Sequence, residues 1–208
     1  MTKVTIIEIP KPSNEEMESY LKKWLTEPHY VHQESSLTKL FKDTYPLNNC
    51  LDDVLIKVCS LNDFYSTNIY SPYKVAKHII DLKIDEELKK GSLTIVNQIA
   101  EVKVTNHKSI NFYSFATKYC SHHRPKVYPI YDSYVEKMLM YFKQTHKFER
   151  FKKEDLKTYT RYKDILEKFR DFYELNNYDL KQIDKYLWQA GKTYFKRDFS
   201  KKENDGTI

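Results

Sequence analysis

Only 3 of the 208 residues are glycine, and this scarcity limits the folds that the chain can adopt. Rossmann folds, P-loop proteins and turn-rich β-sandwiches need glycine where the backbone takes a positive φ or approaches a ligand closely. The hydrophobic fraction of 40% is nevertheless sufficient for a core in a chain of this length. The composition therefore argues against these three classes and leaves a helical fold open.

Apolar residues recur at helical spacing along most of the chain. The first series follows an S-x-x-E capping box at Ser13 and falls at i, i+3, i+4, i+7 and i+8. Its members are Met17, Tyr20, Leu21, Trp24 and Leu25. The same spacing predicts further helices near Ser35 or Ser36, Leu51, Pro72, Ser92, Ser109, Ser133, Tyr162 and Leu180. Trp24 and Trp188 both fall at core spacing, and we interpret them as structural.

We therefore predict an all-α fold of about eight to ten helices. The helices form a single compact domain over residues 1–208, or two interlocked helical lobes. Residues 1–12 are expected to form an N-terminal arm, with a short strand or extended segment at 3–9. Residues 200–208 are expected to form a disordered tail.

The most informative segment runs from Ser109 to Phe142 and reads as a helix, a Pro-bounded loop and a second helix. Asp132 stands at the start of the second helix, directly after an apolar stretch. Such a carboxylate can cap the helix, stabilise positive charge or act as a base. Ser133 and Glu136 form an S-x-x-E capping box, which favours ordinary capping.

Aromatic and basic residues around Asp132 favour a functional interpretation. The aromatic residues are Tyr128, Tyr131 and Tyr134, and the basic residues just upstream are His122, His123, Arg124 and Lys126. Stacking faces, phosphate contacts and one fixed carboxylate are what a pocket for an extruded nucleobase contains.

The pattern Pro-x-x-x-Pro-Ile-Tyr-Asp-Ser-x-Val over residues 125–135 resembles helix-hairpin-helix DNA glycosylases, and most closely the compact prokaryotic 8-oxoguanine glycosylase-like proteins. The resemblance covers about residues 51–142. It implies a glycosylase-like helical domain, double-stranded DNA as the partner, and Asp132 as the acid at the reacting sugar. Residues 55–69 resemble the segment that wedges into the duplex, which implies that Asn62 fills the gap left by the flipped base.

Two positions depart from the family pattern. The glycine-bearing hairpin whose amides hold a phosphate corresponds to residues 106–110, which contain Lys108 but no glycine. The Schiff-base lysine corresponds to about Phe112 or Tyr113. Lys118 and Lys108 are the alternatives, and we prefer Lys118 because its apolar neighbours would desolvate the amine and lower its pKa. The other interpretation of Lys118 is a surface lysine whose ammonium reaches solvent.

Other features of the sequence indicate the cellular compartment and whether a metal or cofactor is expected. Cys50, Cys59 and Cys120 form no CxxC pair, and we interpret them as buried free thiols in a reducing compartment. The histidine pairs at 29/32 and 122/123 lack a complementary ligand set, so we predict neither a metal nor a cofactor. The chain begins without a signal-peptide pattern and has no run of about 18 apolar residues, which predicts a cytoplasmic protein without membrane contact.

Charge is concentrated in one part of the chain. Residues 137–202 contain 18 Lys or Arg and 10 Asp or Glu, which suits phosphate contacts or a solvated lysine-rich surface.

The leading hypothesis is a monomeric DNA N-glycosylase, a hydrolase of base excision repair, that flips and removes a modified purine such as 8-oxoguanine. Lys118 would make it an AP lyase as well, whereas water activated by Asp132 would make it monofunctional. The alternative is a catalytically inactive helical module that binds nucleic acid or a partner, for example as an accessory in prokaryotic antiviral defence.

Overall fold

The computed structural model describes residues 8–105 and 108–195, and this part of the chain folds as a compact all-α domain with one small hairpin, which confirms the predicted fold class. The α-helices are α1 (Asn14–Leu25), α2 (Pro28–Thr38), α3 (Leu51–Tyr65), α4 (Pro72–Leu82), α5 (Asp85–Lys90), α6 (Thr94–Ala100), α7 (Tyr113–His123), α8 (Ser133–His146), α9 (Tyr159–Phe172) and α10 (Leu180–Tyr194). A π-helix at Lys39–Thr44 continues α2, and a 3-10 helix at Lys153–Lys157 precedes α9. Strands β1 (Glu101–Thr105) and β2 (Lys108–Asn111) pair antiparallel.

Local chemistry accounts for several helix starts. The side chain of Ser13 accepts a hydrogen bond from the amide of Glu16 at 3.2 Å, as the capping box predicts. At the start of α10, Asp179 and Gln182 form a reciprocal capping box. Proline occupies the first turn of α2 and of α4, where the missing amide hydrogen costs no hydrogen bond.

Helix α7 passes through the centre of the domain, and all of its residues except Ser114 are buried. It packs against α6 and α3, while α8 packs against α10 on another side. The contact between α8 and α10 is close at Gly191, where an added Cβ would lie 2.8 Å from the carbonyl oxygen of Tyr134. This close approach brings the N-terminal half of α8 and the face of α10 into one site.

Some predicted boundaries are wrong. The helix expected from Ser35 or Ser36 already begins at Pro28, because proline at the first turn starts it earlier. The helix expected from Ser92 spans only Thr94–Ala100, after which the chain turns into β1. Helix α5 has no counterpart in the sequence interpretation.

Two further expectations concern cysteines and chain ends. Cys120 is buried, as expected, whereas Cys50 and Cys59 are exposed because they face outward at and within α3. The predicted strand at 3–9 lies largely outside the described residues, and the predicted tail at 200–208 lies entirely outside them. Among the helices of the described part, none has the length and hydropathy needed to cross a bilayer.

Candidate active site

A pocket lies between α1, α2, α3, α8 and α10, with Lys118 of α7 in its wall. Aromatic side chains form much of its lining, namely Trp24, Tyr30, Phe64, Tyr65 and Trp188. The indole rings of Trp24 and Trp188 meet edge to face with centroids 5.9 Å apart, and Tyr30 stacks on Trp24 at 5.1 Å. Flat aromatic walls of this kind suit a planar ligand, which they can contact through ring stacking.

Lys118 is a buried lysine in the wall of the pocket. Its side chain is only 3% exposed, and its Nζ lies 3.6 Å from Oδ2 of Asp132. The amine also donates to Oγ of Ser114 at 2.6 Å and to the carbonyl oxygen of Tyr131 at 3.3 Å. Burial lowers the pKa of Lys118, and the nearby charge of Asp132 opposes this shift only in part. The interpretation of Lys118 as a surface lysine is therefore wrong.

Asp132 is held in place by the start of α8. It is the N-cap residue, and its Oδ1 accepts a hydrogen bond from the amide of Tyr134 at 3.0 Å, which leaves Oδ2 directed towards Lys118. The predicted capping box of Ser133 is wrong, because the cap is one residue earlier and Glu136 accepts from the hydroxyl of Tyr131 instead. One carboxylate thus serves both the helix and the lysine.

Residues 129–131, the loop before Asp132, are fixed by side chains from three helices. Tyr159 and Tyr162 of α9 donate to the first two carbonyl oxygens of this loop at 2.8 and 2.6 Å. Asp184 of α10 accepts from the middle amide at 2.8 Å, and Thr117 of α7 accepts from the third amide at 3.1 Å. Because these bonds are buried, they hold the loop rigidly and set the position of Asp132.

Two more carboxylates line the pocket, and their pKa values are shifted in opposite directions. Burial raises the pKa of Asp184 to about 6, against the charge of Lys181, whose Nζ lies 3.8 Å away. Glu34 accepts from Nε1 of Trp24 at 3.1 Å and from Nζ of Lys185 at 2.8 Å. Although burial acts in the other direction, the hydrogen bond from Lys185 and the neighbouring lysine charges lower the pKa of Glu34.

The structure does not bring Asn62 into the pocket. Its Oδ1 accepts from the hydroxyl of Thr67 at 2.9 Å and from the amide of Ile69 at 2.8 Å, and its Nδ2 donates to the Ile69 carbonyl at 3.1 Å. The side chain thereby closes the turn after α3. Its role as the duplex wedge stays a prediction that this conformation does not support, since all these polar atoms are engaged.

The predicted phosphate-binding residues separate into buried and exposed groups. His122 and His123 are buried against Tyr65 and Asn48, and burial lowers the pKa of His122 to about 3, so that its ring is neutral. Arg124 donates to backbone carbonyls at the end of α5. These three side chains hold the fold together and are poorly placed as phosphate contacts.

The remaining three predicted residues have different surroundings. Lys126 is exposed after α7, and Lys108 is exposed on β2. Tyr131 is buried, and its hydroxyl lies between Glu136 and Lys157 rather than in the pocket. Lys126 lines a cleft that adjoins the pocket, whereas Tyr131 meets the pocket only through its backbone carbonyl, which accepts from Lys118.

Sequence interpretation missed much of the pocket lining. Trp24 and Trp188 were interpreted as core residues but line the pocket, as does Tyr65, whose ring centroid lies 5.3 Å from the amine of Lys118. One signal was available on α10, where polar and aromatic pocket residues fall at i, i+3, i+4 and i+7. They are Lys181, Asp184, Lys185 and Trp188. Within the described ranges, no group of three or more His, Cys, Asp or Glu residues is arranged to hold a metal ion.

Comparison with known proteins places the chain in a family. Residues 16–127 match the family model HI_0787_N, described as an N-terminal domain. A protein of Haemophilus influenzae, named "Uncharacterized protein", is 45% identical over 157 residues, which cover 75% of this chain and 72% of that protein. No solved structure matches the chain. The chain therefore belongs to the HI_0787_N family, and Lys118 lies inside the matched domain whereas Asp132 follows it.

Proposed function

We propose that this protein is a DNA glycosylase that excises a modified base, with Lys118 as the nucleophile. One observation carries the proposal: the buried amine of Lys118 lies 3.6 Å from the carboxylate of Asp132 in a pocket with aromatic walls. A lysine acts as a nucleophile through its neutral amine, and desolvation, which lowers the pKa of Lys118, is one way of activating it. Aromatic walls are the feature that receives an extruded base.

The chemistry follows from the two groups. Burial lowers the pKa of Lys118 and so favours its neutral amine, which lies beside the carboxylate of Asp132. The amine attacks C1′ of the sugar, forming a C–N bond while the N-glycosidic bond breaks and its electron pair leaves with the base, which takes a proton. Asp132 then accepts a proton from the alkylated nitrogen and returns it to O4′ as the C1′–O4′ bond breaks and the sugar ring opens, which gives an imine between Nζ and C1′. While the glycosidic bond breaks, the negative charge of Asp132 stabilises the positive charge that develops on the sugar.

The rigid loop at 129–131 supports this assignment. Its buried hydrogen bonds set the position of Asp132 before any substrate arrives, so no reorganisation is needed during the reaction. Oδ1 of Asp132 keeps its hydrogen bond to the amide of Tyr134, and this bond orients Oδ2 towards Lys118.

Borohydride trapping tests the proposal. Duplexes carrying 8-oxoguanine, uracil, an alkylated purine or an abasic site are incubated with the protein and sodium borohydride, which reduces an imine to a stable adduct. Wild type is compared with Lys118→Met and with Lys77→Ala, a charge-matched control on the exposed face of α4. We expect an adduct in wild type and in the control, and none in Lys118→Met. An adduct that persists in Lys118→Met would contradict the assignment of the nucleophile.

The alternative function is an inactive nucleic-acid-binding or partner-binding module. It is favoured by the hairpin of β1 and β2, in which Lys103 pairs with Ser109. Residues 106–110 contain no glycine, unlike the hairpin that holds a phosphate in the glycosylases. Absence of both adduct and base release on all four duplexes would support this alternative. In that case Asp132→Asn should change nothing beyond stability.

A further inference from the structure

A second cleft adjoins the pocket and is rich in lysine. Lys42 of the π-helix, Lys126 after α7 and Lys181 of α10 all line it. The cleft shares Glu34 and Lys181 with the aromatic pocket, so the two spaces are neighbours on one face of the protein. The three lysines come from three separate elements, unlike a row of lysines along one solvated helix face. The amine of Lys42 also donates to the backbone carbonyl of His123, and Nζ of Lys181 lies 3.8 Å from Oδ1 of Asp184.

Ser121 gives an independent indication of a ligand. It lines the cleft, it is 1% exposed, and its Oγ has no hydrogen-bond partner among the described residues. Buried hydroxyl groups almost always have a partner, because leaving one unsatisfied is costly. A hydroxyl without a partner beside converging lysines is therefore placed to donate to an anionic ligand.

The carboxylates of the cleft are already engaged. Glu34 accepts from Lys185 at 2.8 Å and from Trp24 at 3.1 Å, on the side of the aromatic pocket. Asp179 caps α10 by accepting from the amide of Gln182 at 2.9 Å. The cleft is lined by three lysines and these two carboxylates, so its formal net charge is positive.

We propose that this cleft binds a backbone phosphate of DNA next to the nucleotide whose base enters the pocket, a proposal that rests on the proposed function. Phosphate contacts fix the register of a protein on a duplex, and lysine supplies them as a point charge. Lys126 and Lys181 approach the phosphate from the surface, and the hydroxyl of Ser121 donates from below. The cleft thus supplies the backbone contact that the glycine-free hairpin does not offer.

Methylphosphonate substitution tests the proposal. The probe is a duplex with a tetrahydrofuran abasic analogue, which cannot react with Lys118, in which each phosphate near the lesion is replaced in turn by an uncharged methylphosphonate. We expect one position at which the substitution weakens binding by wild type. Lys126→Ala should weaken binding to the unmodified probe and should lose nothing further at that position. Equal sensitivity of wild type and Lys126→Ala at every position would overturn the proposal.

The salt dependence of binding provides a second readout. Loss of one phosphate contact should reduce the slope of log Kd against log salt by about 0.9 in Lys126→Ala. Lys77→Ala is the charge-matched control, since it lies on α4, whose residues line neither the pocket nor the cleft. The same decrease in Lys77→Ala would mean that general charge, and not this cleft, determines the slope.

Ser121→Ala separates a binding role from a structural one. Because its hydroxyl has no partner among the described residues, the variant should melt no lower than wild type, yet it should bind the probe more weakly. Unchanged binding would overturn the part assigned to Ser121. Calorimetric titration with sodium phosphate alone distinguishes the source of the anion: saturation by free phosphate without any methylphosphonate effect would overturn a DNA-backbone site.

The two proposals fail separately. A position-dependent methylphosphonate effect without any borohydride adduct or base release would leave the phosphate site standing and refute the glycosylase assignment. An adduct without any positional effect would support the glycosylase assignment and refute the phosphate site.

Discussion

The two roles of Asp132 can be separated by comparing Asp132→Asn with Asp132→Ala. Asparagine is as good an N-cap as aspartate and keeps the side-chain oxygen that accepts from the amide of Tyr134. It removes only the negative charge beside Lys118. Alanine removes both the charge and the cap. Both variants lose the ion pair with Lys118 to the same extent, so their difference in stability reports the cap alone.

The expected magnitudes are those of a lost N-cap and of a lost proton acceptor. Loss of an N-cap costs about 1 kcal/mol, which corresponds to a decrease in Tm of roughly 2–4 °C for a chain of this size. We therefore expect Asp132→Ala to melt at a temperature about 2–4 °C below that of Asp132→Asn. Loss of a proton acceptor at the reacting amine typically reduces rates by about 10²–10⁴, so both variants should release base equally slowly.

Two assays check this prediction. Thermal unfolding gives the difference in Tm, and single-turnover base release on the duplex that wild type processes gives the rates. Equal Tm values for the two variants would show that the cap does not stabilise α8 as described. Base release by Asp132→Asn at the wild-type rate would refute the role of the charge while leaving the cap intact.

Three further predictions concern other residues. Because burial lowers the pKa of Lys118 below its usual 10.5, the rate of imine formation with an abasic duplex should reach half of its maximum below pH 10.5; a midpoint at or above that pH would contradict its desolvation. The pKa of Asp184 is raised from 3.8 to about 6 in the folded protein, so its contribution to stability is complete below pH 3.8 and is lost as the pH rises through 6. Asp184→Asn should therefore raise the free energy of unfolding relative to wild type by up to about 3 kcal/mol at pH 7.5 but not at pH 3.5, and equal differences in urea denaturation at both pH values would refute this. Gly191→Ala should destabilise the protein by about 1–3 kcal/mol in the same assay, because its Cβ would lie 2.8 Å from Tyr134; wild-type stability would show that α8 and α10 can separate at little cost.

Local features of the sequence were sufficient to place several helix starts. Ser13 and Asp179 cap α1 and α10 as their side chains predict, and α4 begins at Pro72. The start of α8 behind Asp132 was also predictable, because the determinants of a helix start lie within a few residues of it. The early start of α2 at Pro28 shows the limit of this approach, since an apolar series does not mark the first turn of a largely polar helix.

The composition of the site was less predictable. The sequence favoured Lys118 and Asp132 as candidate residues, but their separation along the chain left open whether the amine is buried beside the carboxylate or exposed. The burial of α7 on nearly every side decided this question. Burial of α7 had the opposite consequence for the prediction about His122 and His123. It removed both side chains from the surface on which phosphate contacts were expected.

The amino-acid sequence by itself determined the helical class, most helix positions and the placement of Asp132 at a helix N-terminus, because periodicity and capping depend on near neighbours. The pocket was decided only by the tertiary structure. Helical spacing identifies which face of a helix is apolar, but it does not distinguish a face that packs against the core from one that lines a cavity. Trp24 and Trp188 have the spacing of core residues, and only the packing of α1 beside α10 turns them into the wall opposite a buried lysine.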